Sequence, residues 1–333
     1  MIQPNPKVAY SNMQINLITG ISGSGKSVAL KAFEDAGYDC VDNLPVPLLE
    51  SLIATFENEK SERVAVAIDA RRGKSISELP LILENIRRNH QVRIVFLNAD
   101  TNTLIQRFSE TRRRHPLSAQ TEQSQSSTLT EAIDTERSLL EPLRSQAHSI
   151  DTSNLPAHAL RSWIQDLLKK ETVGLSVIFE SFGFKKGLPS DADLVFDVRC
   201  LPNPHYDKVL RPLTGLDKPV QEFLEKIPEV ISMESDIIQF IEKWLPHYIA
   251  DGRSYLTVAI GCTGGQHRSV YLVKKIINHF LAHQELADLQ ISFLIRHREL
   301  DSIPTKAPWL VAAIHIALID EAKPTLNWCL EIQ

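Results

Sequence analysis

The stretch "INLITGISGSGKSVALKAFEDAGY" at residues 15–38 decides the fold of the first half of the chain. A short β-type run enters a glycine-rich loop, and a segment with helical spacing follows. The loop matches GxxxxGK[ST], in which glycines let backbone amides converge on a phosphate at a helix N-terminus. Lys26 would supply the catalytic positive charge and Ser27 would bind Mg²⁺. The residues predicted to contact a nucleotide here are Gly20, Ile21, Ser22, Gly23, Ser24, Gly25, Lys26 and Ser27.

Further apolar runs of strand type follow, among them "RVAVAIDARR" at 63–72 and "VRIVFLNAD" at 92–100. Nearly continuous apolar strands that alternate with helical stretches are typical of a parallel sheet covered on both faces. The sequence therefore predicts an α/β class, with a kinase-like P-loop domain over 14–171 after a flexible N-terminus at 1–13.

Several charged residues could complete this first site. Asp69 ends a strand, where its carboxylate would bind Mg²⁺ or only cap a helix. Asp42 could bind a second phosphate acceptor or cap a turn. The arginines at 112–114 could close over a triphosphate as a lid, or form a solvated surface. They begin a polar segment without periodicity, 111–132, which we interpret as a mobile excursion that adds nothing to the core.

Length and composition limit the protein class. A chain of 333 residues favours two domains, since about 150 residues per domain is typical. The net charge of −5 gives no general sign of nucleic-acid binding. No signal peptide is evident, and the apolar run 309–319 is too short to span a bilayer. The widely spaced cysteines argue against disulfides or a zinc site, so we expect a soluble, cytoplasmic protein. They are Cys40, Cys200, Cys262 and Cys329.

Strand-type runs begin again near residue 172, which predicts a second α/β domain over 172–300 and a helical extension over 301–333. The stretch "VAIGCTGGQHRS" at 258–269 joins a strand to a helix through a second glycine-rich loop. Its glycines can form an anion-binding nest, and Arg268 can bind a phosphate through two parallel hydrogen bonds. Cys262 and Arg268 also have the spacing of a cysteine phosphatase loop. The residues alone favour holding a phosphate over cleaving it, because no general acid is identified convincingly.

Two neighbouring segments should face the same pocket. "CLPNPHYD" at 200–207 is stiffened by prolines and carries His205, and "RPLTGLDKPV" at 211–220 carries Arg211. From the spacing alone, His205 could equally be a loop histidine with a structural hydrogen bond.

The ordered set of motifs "LITGISGSGKSVALKAFEDAGYDCVDNLP", "ETRRRHPL", "DTSNL", "SFGFKKGLPSDADLVFDVRCLPNPHY", "LRPLTGLDKPV" and "GCTGGQHRSVYL" resembles the RapZ family. The resemblance covers roughly residues 14–300. It implies an N-terminal domain that binds ATP or GTP and hydrolyses it weakly. It also implies a C-terminal domain that senses glucosamine-6-phosphate, binds small RNA and presents it to an endoribonuclease, in a protein that forms homo-oligomers.

The resemblance also implies roles for particular residues. A second nucleotide motif of the family corresponds to Asp69, Ala70, Arg71 and Arg72, and this chain departs from it at Ala70 and Arg72. Cys262 becomes a structural part of a sensor loop, without a catalytic role. The sugar-phosphate site would comprise His205, Arg211, Thr263, Gly264, His267 and Arg268.

One departure from the family concerns RNA. RNA-binding members end in a short tail rich in Lys and Arg, whereas residues 301–333 here hold two lysines, no arginine and four acidic residues. Phosphate contacts dominate RNA affinity, so this extension predicts weaker RNA binding. The basic residues that remain are Lys185, Lys186, Lys274, Lys275, Arg296 and Arg298. A P-loop small-molecule kinase is the alternative function.

Overall fold

Two parallel β-sheets follow one another along the chain in the computed structural model, which describes residues 13–68, 78–112, 115–119, 128–144, 146–169, 174–282 and 291–302. The first sheet has five strands in the order β2-β3-β1-β4-β5, and the second has four in the order β7-β8-β6-β9. All pairs between these strands are parallel. The predicted α/β class, with a P-loop sheet domain followed by a second α/β domain, is confirmed.

The first lobe combines its five strands with six α-helices among the described residues. The strands are β1 Gln14–Gly20, β2 Asp39–Leu44, β3 Arg63–Ile68, β4 Gln91–Asn98 and β5 His148–Asp151. The helices are α1 Lys26–Asp35, α2 Leu49–Asn58, α3 Leu79–Arg87, α4 Thr101–Thr111, α5 Leu129–Arg144 and α6 Ala157–Lys169. Short 3₁₀ helices lie at Val46–Leu48 and Pro116–Ala119.

Strand β1 shows why the first sheet is buried on both sides. Ile15 and Leu17 pack into an apolar cluster with α2, α3 and α5. Ile18, which points the other way, packs into a second cluster with α1 and α6. Because successive side chains of a strand alternate between faces, a strand covered on both sides is mostly apolar, although β1 also buries Asn16 and Thr19.

The second lobe combines the remaining strands with four α-helices among the described residues. The strands are β6 Ser176–Gly183, β7 Leu194–Asp197, β8 Tyr255–Cys262 and β9 Ser292–His297. The helices are α7 Lys218–Leu224, α8 Pro228–Ala250, α9 Arg268–Ala282 and α10 Arg298–Asp301. Short 3₁₀ helices lie at Phe184–Lys186 and Pro204–Tyr206.

The two faces of the second sheet differ in what they contact. Val177 and Phe179 of β6 belong to the core of the second lobe, together with residues of α8 and α9. Ile178 on the opposite face shares a cluster with Trp163 of α6 in the first lobe. The second sheet therefore packs directly against a helix of the first lobe.

The interpretation of 111–132 as an excursion outside the core was wrong for the parts that the structure describes. His115 is buried, residues 116–119 form a 3₁₀ turn, and Ala132 lies in the buried face of α5. Residues 120–127 lie outside the described part, as do the predicted flexible N-terminus up to residue 12 and the extension from residue 303.

None of the helices in the described part of the chain is both long enough and apolar enough to cross a membrane.

Candidate functional site

The first glycine-rich loop connects β1 to α1 at the carboxyl edge of the first sheet. Gly20, Gly23 and Gly25 all have positive φ angles, of 133°, 86° and 106°. At Gly20 the need for glycine is also steric, since a Cβ there would collide with the backbone of Leu97 on β4. The loop is held to the sheet by the Ile21 amide, which donates to the Leu97 carbonyl over 3.0 Å. The backbone conformation that GxxxxGK[ST] predicts is present.

The amino end of α1 suits an anion. Gly25 is its N-cap, no side chain caps it, and its first turn holds no acidic residue. Among the described residues, the amides of Gly23, Gly25 and Ser27 have no hydrogen-bond partner. Unpaired amides at a helix N-terminus, with the positive end of the helix dipole, form a phosphate-binding site. The residues present therefore fit a nucleotide phosphate.

Lys26 and Ser27 lie at the mouth of this loop. The Lys26 ammonium donates to the carbonyl oxygens of Gly20 and Ile21, over 2.6 and 3.2 Å. The Ser27 side chain is exposed. A lysine in this position can neutralise β- and γ-phosphate charge, and an accessible serine hydroxyl can bind the accompanying Mg²⁺.

Glu136 on α5 holds the loop in place, although no local sequence motif marks it. One carboxylate oxygen accepts from the Ser22 amide and the other from the Ser22 hydroxyl, each over 2.8 Å. His115 Nε2 lies 3.1 Å from the first oxygen. Burial opposes ionisation, but the His115 hydrogen bond, the nearby Lys26 charge and the Ser22 donors hold the pKa of Glu136 below its usual range. The signal in the sequence was a glutamate at helical spacing from Ile133 and Leu140, in a stretch that was not predicted to be a helix.

Thr152, the second residue of the "DTSNL" motif, braces the loop from the opposite side. Its hydroxyl donates to the Ser24 carbonyl over 2.9 Å. Arg107 on α4 donates to the Gly23 carbonyl over 3.1 Å and to the Thr152 carbonyl over 2.7 Å. Loop carbonyls are thus tied to the carboxyl end of β5, which leaves the amides on the other side of the chain for a ligand.

Two further predicted residues of the first site lie in the described part of the chain, and both have exposed side chains. Asp42 is an exposed residue within β2, and Arg112 is an exposed residue at the carboxyl end of α4 with a φ of 51°. The remaining candidates lie outside the described residues. They are Asp69, Ala70, Arg71, Arg72, Arg113 and Arg114.

Arg268 organises the second loop, which connects β8 to α9. Its Nη1 donates to the carbonyl oxygens of Arg199 and Leu201 over 2.9 and 2.7 Å, and its Nη2 to the Thr263 hydroxyl over 3.2 Å. The residue is 3% exposed, yet its Nε has no partner among the described residues. One edge of the guanidinium is thus anchored. The Nε–Nη2 edge, which binds phosphate bidentately elsewhere, engages only one hydroxyl.

The other predicted residues of this site gather around Arg268. Gly264 is exposed, with open space around its Cα, and it adjoins Thr263. His267 is buried and its Nε2 lies 3.2 Å from the Leu210 carbonyl. Burial lowers the pKa of His267, although the carbonyls of Leu210 and Arg211 oppose this. The structure therefore brings loop residues Thr263 to Arg268 together.

His205 and Arg211 form the rim of the same site. Both side chains are exposed, and the His205 ring centroid lies 6.3 Å from that of His267. Arg211 Nε donates to the His205 carbonyl over 3.0 Å, which fixes the rim segment. An exposed histidine and an exposed arginine thus lie beside the loop.

Two of the six basic residues considered for RNA contact are buried. Arg296 and Arg298 are 3% and 4% exposed. Arg296 lies between the lobes, where its Nη2 contacts His148 Nε2 over 2.8 Å, and Arg298 donates to the Gly187 carbonyl. Lys275 pairs with Glu225 over 2.8 Å. Of the six basic residues that remain for RNA contact, the two arginines are therefore shielded from solvent.

Both lobes of the chain are similar to domains of known proteins. Residues 13–172 match the RapZ-like N-terminal domain and residues 175–301 match the RapZ C-terminal domain. A protein of Polynucleobacter asymbioticus named nucleotide-binding protein is 83% identical over 88% of this chain and 99% of its own length. A nucleotide-binding protein of Cupriavidus taiwanensis is 54% identical over 86% of this chain and 99% of its own.

Among solved structures, a shikimate kinase from Acinetobacter baumannii aligns with 48% of this chain and 93% of its own, with 17% identity and a TM-score of 0.32. That likeness is too weak to transfer a substrate. The two domain matches, in the same order and together spanning both lobes, show that this chain belongs to the RapZ family.

Proposed function

We propose that the first lobe binds ATP or GTP with Mg²⁺ and hydrolyses it weakly. The observation that supports this is the uncapped amino end of α1 beside three glycines with positive φ. Loop amides and Lys26 would hold the phosphates, and Ser27 with Asp69 would hold the metal ion. The segment Asp69 to Arg72 would contact the same nucleotide, as in the family pattern.

Titration calorimetry with ATP and GTP, each with Mg²⁺, tests this proposal. Lys26→Ala should weaken binding by at least about tenfold, because a charged hydrogen bond to phosphate contributes roughly 1.5–3 kcal/mol. Lys31→Ala is the matched control, since Lys31 is an exposed lysine on the same helix. Equal affinities for the Lys26→Ala and Lys31→Ala proteins would refute the assignment.

We propose further that the second loop binds an amino-sugar phosphate such as glucosamine-6-phosphate. Support comes from the Nε–Nη2 edge of Arg268, where Nε lacks a partner among the described residues and could donate to an anion. The loop also leads into a 15-residue helix, whose amino end favours an anion. Thr263, Gly264 and His267 would complete the phosphate contacts. His205 and Arg211 would contact the sugar. Cys262 would have no catalytic role.

Thermal unfolding of the full chain with glucosamine-6-phosphate, glucosamine or orthophosphate tests this second site. The sugar phosphate should raise the melting temperature of the wild type and of Arg161→Ala, an exposed arginine on α6. It should not raise that of Arg268→Ala. A response to glucosamine alone, or an unchanged response of Arg268→Ala, would contradict phosphate recognition by this loop.

The family resemblance extends the proposal to a cytoplasmic homo-oligomer that binds small RNA and presents it to an endoribonuclease. Lys185, Lys186 and Lys274 are exposed and could contact RNA phosphates. Gel shifts at physiological salt, with the full chain and with a chain that ends at residue 300, would measure this binding. No retardation of RNA by either chain would remove the adapter role and leave the two phosphate sites standing.

A small-molecule kinase is the second candidate function for the first lobe. Asp42 is exposed on β2, in the same sheet as the strand that leads into the loop, and its carboxylate could bind a phosphate acceptor. A kinase would release ADP far faster in the presence of its acceptor metabolite than in its absence. ADP release that no metabolite accelerates would favour the regulatory NTPase.

A further inference from the structure

Cys262 is the last residue of β8, and the proposed function leaves its thiol unused. Its Sγ accepts from the Gly265 amide over 3.2 Å and lies 3.2 Å from the Ser269 hydroxyl. Burial opposes ionisation, but these donors, with the Arg268 charge nearby, lower the pKa of Cys262. The loop therefore stabilises a thiolate in the same way that it would stabilise a phosphate oxygen.

The geometry of Arg268 is a second observation, apart from the pKa of Cys262, that this loop suits an anion. The side chain is 3% exposed, and its Nε lacks a partner among the described residues. A buried unpaired N–H costs free energy unless a ligand or solvent satisfies it. Arg268 also holds Thr263, the residue next to Cys262, through Nη2.

We propose that Cys262 is a site of reversible oxidation by a hydroperoxide, and that its sulfenic acid fills the phosphate loop and excludes phosphate. The exclusion rests on the proposed sugar-phosphate site, whereas the oxidation does not. The oxidised sulfur carries an oxygen that lies among the donors a phosphate oxygen would use. Peroxide, by oxidising Cys262, would thereby block the same loop that binds the metabolite.

The chemistry is a two-electron transfer. The Cys262 thiolate attacks one oxygen of the hydroperoxide, the S–O bond forms, and the O–O bond breaks. Sulfur is oxidised and the peroxide is reduced. The second oxygen takes a proton from solvent and leaves as water or an alcohol. An added thiol reverses the change by forming a mixed disulfide with loss of water, which a second thiol then reduces.

Cys40 provides a comparison within the same chain. Its Sγ lies 3.7 Å from the Leu30 carbonyl, an acceptor that favours the neutral thiol. Burial, with Glu34 and Asp39 nearby, raises the pKa of Cys40 to about 11. Cys40 should therefore react slowly with peroxide at neutral pH, even though it is more exposed than Cys262.

Hydrogen peroxide followed by dimedone, with the tagged cysteine located by peptide mass spectrometry, tests the oxidation. At about pH 7.5 Cys262 should be tagged about tenfold faster than Cys40, since thiolate fraction outweighs the loss of intrinsic nucleophilicity. Ser269→Ala should slow tagging of Cys262 severalfold, and Ser235→Ala, an exposed serine on α8, should not. Tagging of Cys262 no faster than that of Cys40 would overturn the proposal.

A variant that keeps only Cys262, with Cys40, Cys200 and Cys329 changed to Ser, tests exclusion. Glucosamine-6-phosphate should raise its melting temperature when it is reduced, lose this effect after peroxide, and regain it after dithiothreitol. A shift that persists on protein tagged at Cys262 would overturn the exclusion. Absence of any shift on reduced protein would instead reject the proposed ligand, while the dimedone result still decides the oxidation. If this variant does not fold, the same melting measurements are made before and after peroxide on wild type and on Cys262→Ser. The sugar-phosphate effect should then be lost after peroxide in wild type.

Discussion

Single residues of the second loop are constrained to very different degrees. Gly265 has a φ of 70°, and a Cβ there would collide with the Glu299 carboxylate and lie 2.7 Å from the Gly183 amide nitrogen. Gly264, its neighbour, has open space where a Cβ would be. Gly265→Ala should therefore lower the free energy of unfolding by about 1–3 kcal/mol, whereas Gly264→Ala should change it by less than about 1 kcal/mol.

Urea denaturation of both variants checks this difference. Equal losses for Gly264→Ala and Gly265→Ala would show that the Glu299 side chain relaxes and that the positive φ is not required. The burial of Glu299 raises the pKa of its carboxyl, although the Gly183 amide and the Arg298 charge oppose this. The Gly183 amide nitrogen is a backbone atom, so it cannot move aside as readily as a side chain.

The sequence predicted residues of both loops because each loop is a local pattern. Within each loop the glycines lie within a few positions of the charged residue, which is Lys26 in the first loop and Arg268 in the second, and neighbouring strands fix the loop geometry. Glu136 could not be assigned a role in this way, since it acts on Ser22 across 114 positions of sequence. Its partner depends on how α5 packs on the sheet, which no local pattern specifies.

At the scale of elements, strands were easier to predict than helices. The runs at 15–20 and 92–100 became β1 and β4 with small changes at their ends, and the strand predicted before the second loop became β8. The 23-residue α8 was not predicted. It carries Pro246 in its interior, and proline normally marks a helix end because it lacks an N–H and crowds the preceding turn.

Pro246 therefore gives a prediction about α8. Pro246→Ala restores a backbone hydrogen bond in an exposed helix interior, and it should raise the free energy of unfolding by about 1–2 kcal/mol after the gain in unfolded-state entropy is subtracted. Pro228→Ala is the control, since Pro228 is the first residue of the helix and its missing N–H is not needed there. We expect no gain from Pro228→Ala.

Chemical denaturation measures both substitutions. A loss of stability in Pro246→Ala would mean that a bend at this proline fits α8 to the second sheet, and that the straightened helix packs less well. This outcome would mean that α8 is stabilised mainly by its packing on the second sheet and less by the helix propensity of its residues.

Buried polar contacts join the two lobes, and sequence patterns do not show which residues form these pairs. Arg296 of β9 contacts His148 of β5, stacks over Trp163 at 4.6 Å, and lies 3.9 Å from an Asp191 oxygen. Glu180 is also buried on this face, and burial with the Asp191 charge raises its pKa. These residues come from distant segments, so only the packed fold brings them together.

His148 makes this interface sensitive to acid. Its Nε2 accepts from Arg296, and burial, with the charges of Arg296 and Arg93, holds the pKa of His148 well below its usual range. Unfolded chains take up this proton near pH 6.5 and the native state does not, so stability is full above about pH 6.5 and falls as pH drops below it. The raised pKa values of Glu180 and Asp191 act in the opposite sense, since they favour the native state at low pH.

A comparison of wild type with His148→Gln separates the contribution of His148 to the pH dependence of stability from that of the buried acids. The glutamine carbonyl can still accept from Arg296 but binds no proton. Between about pH 6.5 and 5.5, wild type should lose about 1 kcal/mol of unfolding free energy relative to His148→Gln, because the unfolded histidine is half protonated at the start of this range and almost fully protonated at its end. Urea denaturation across this range measures the difference. Parallel profiles for the two proteins would show that the lobes separate enough to hydrate His148 before the chain unfolds.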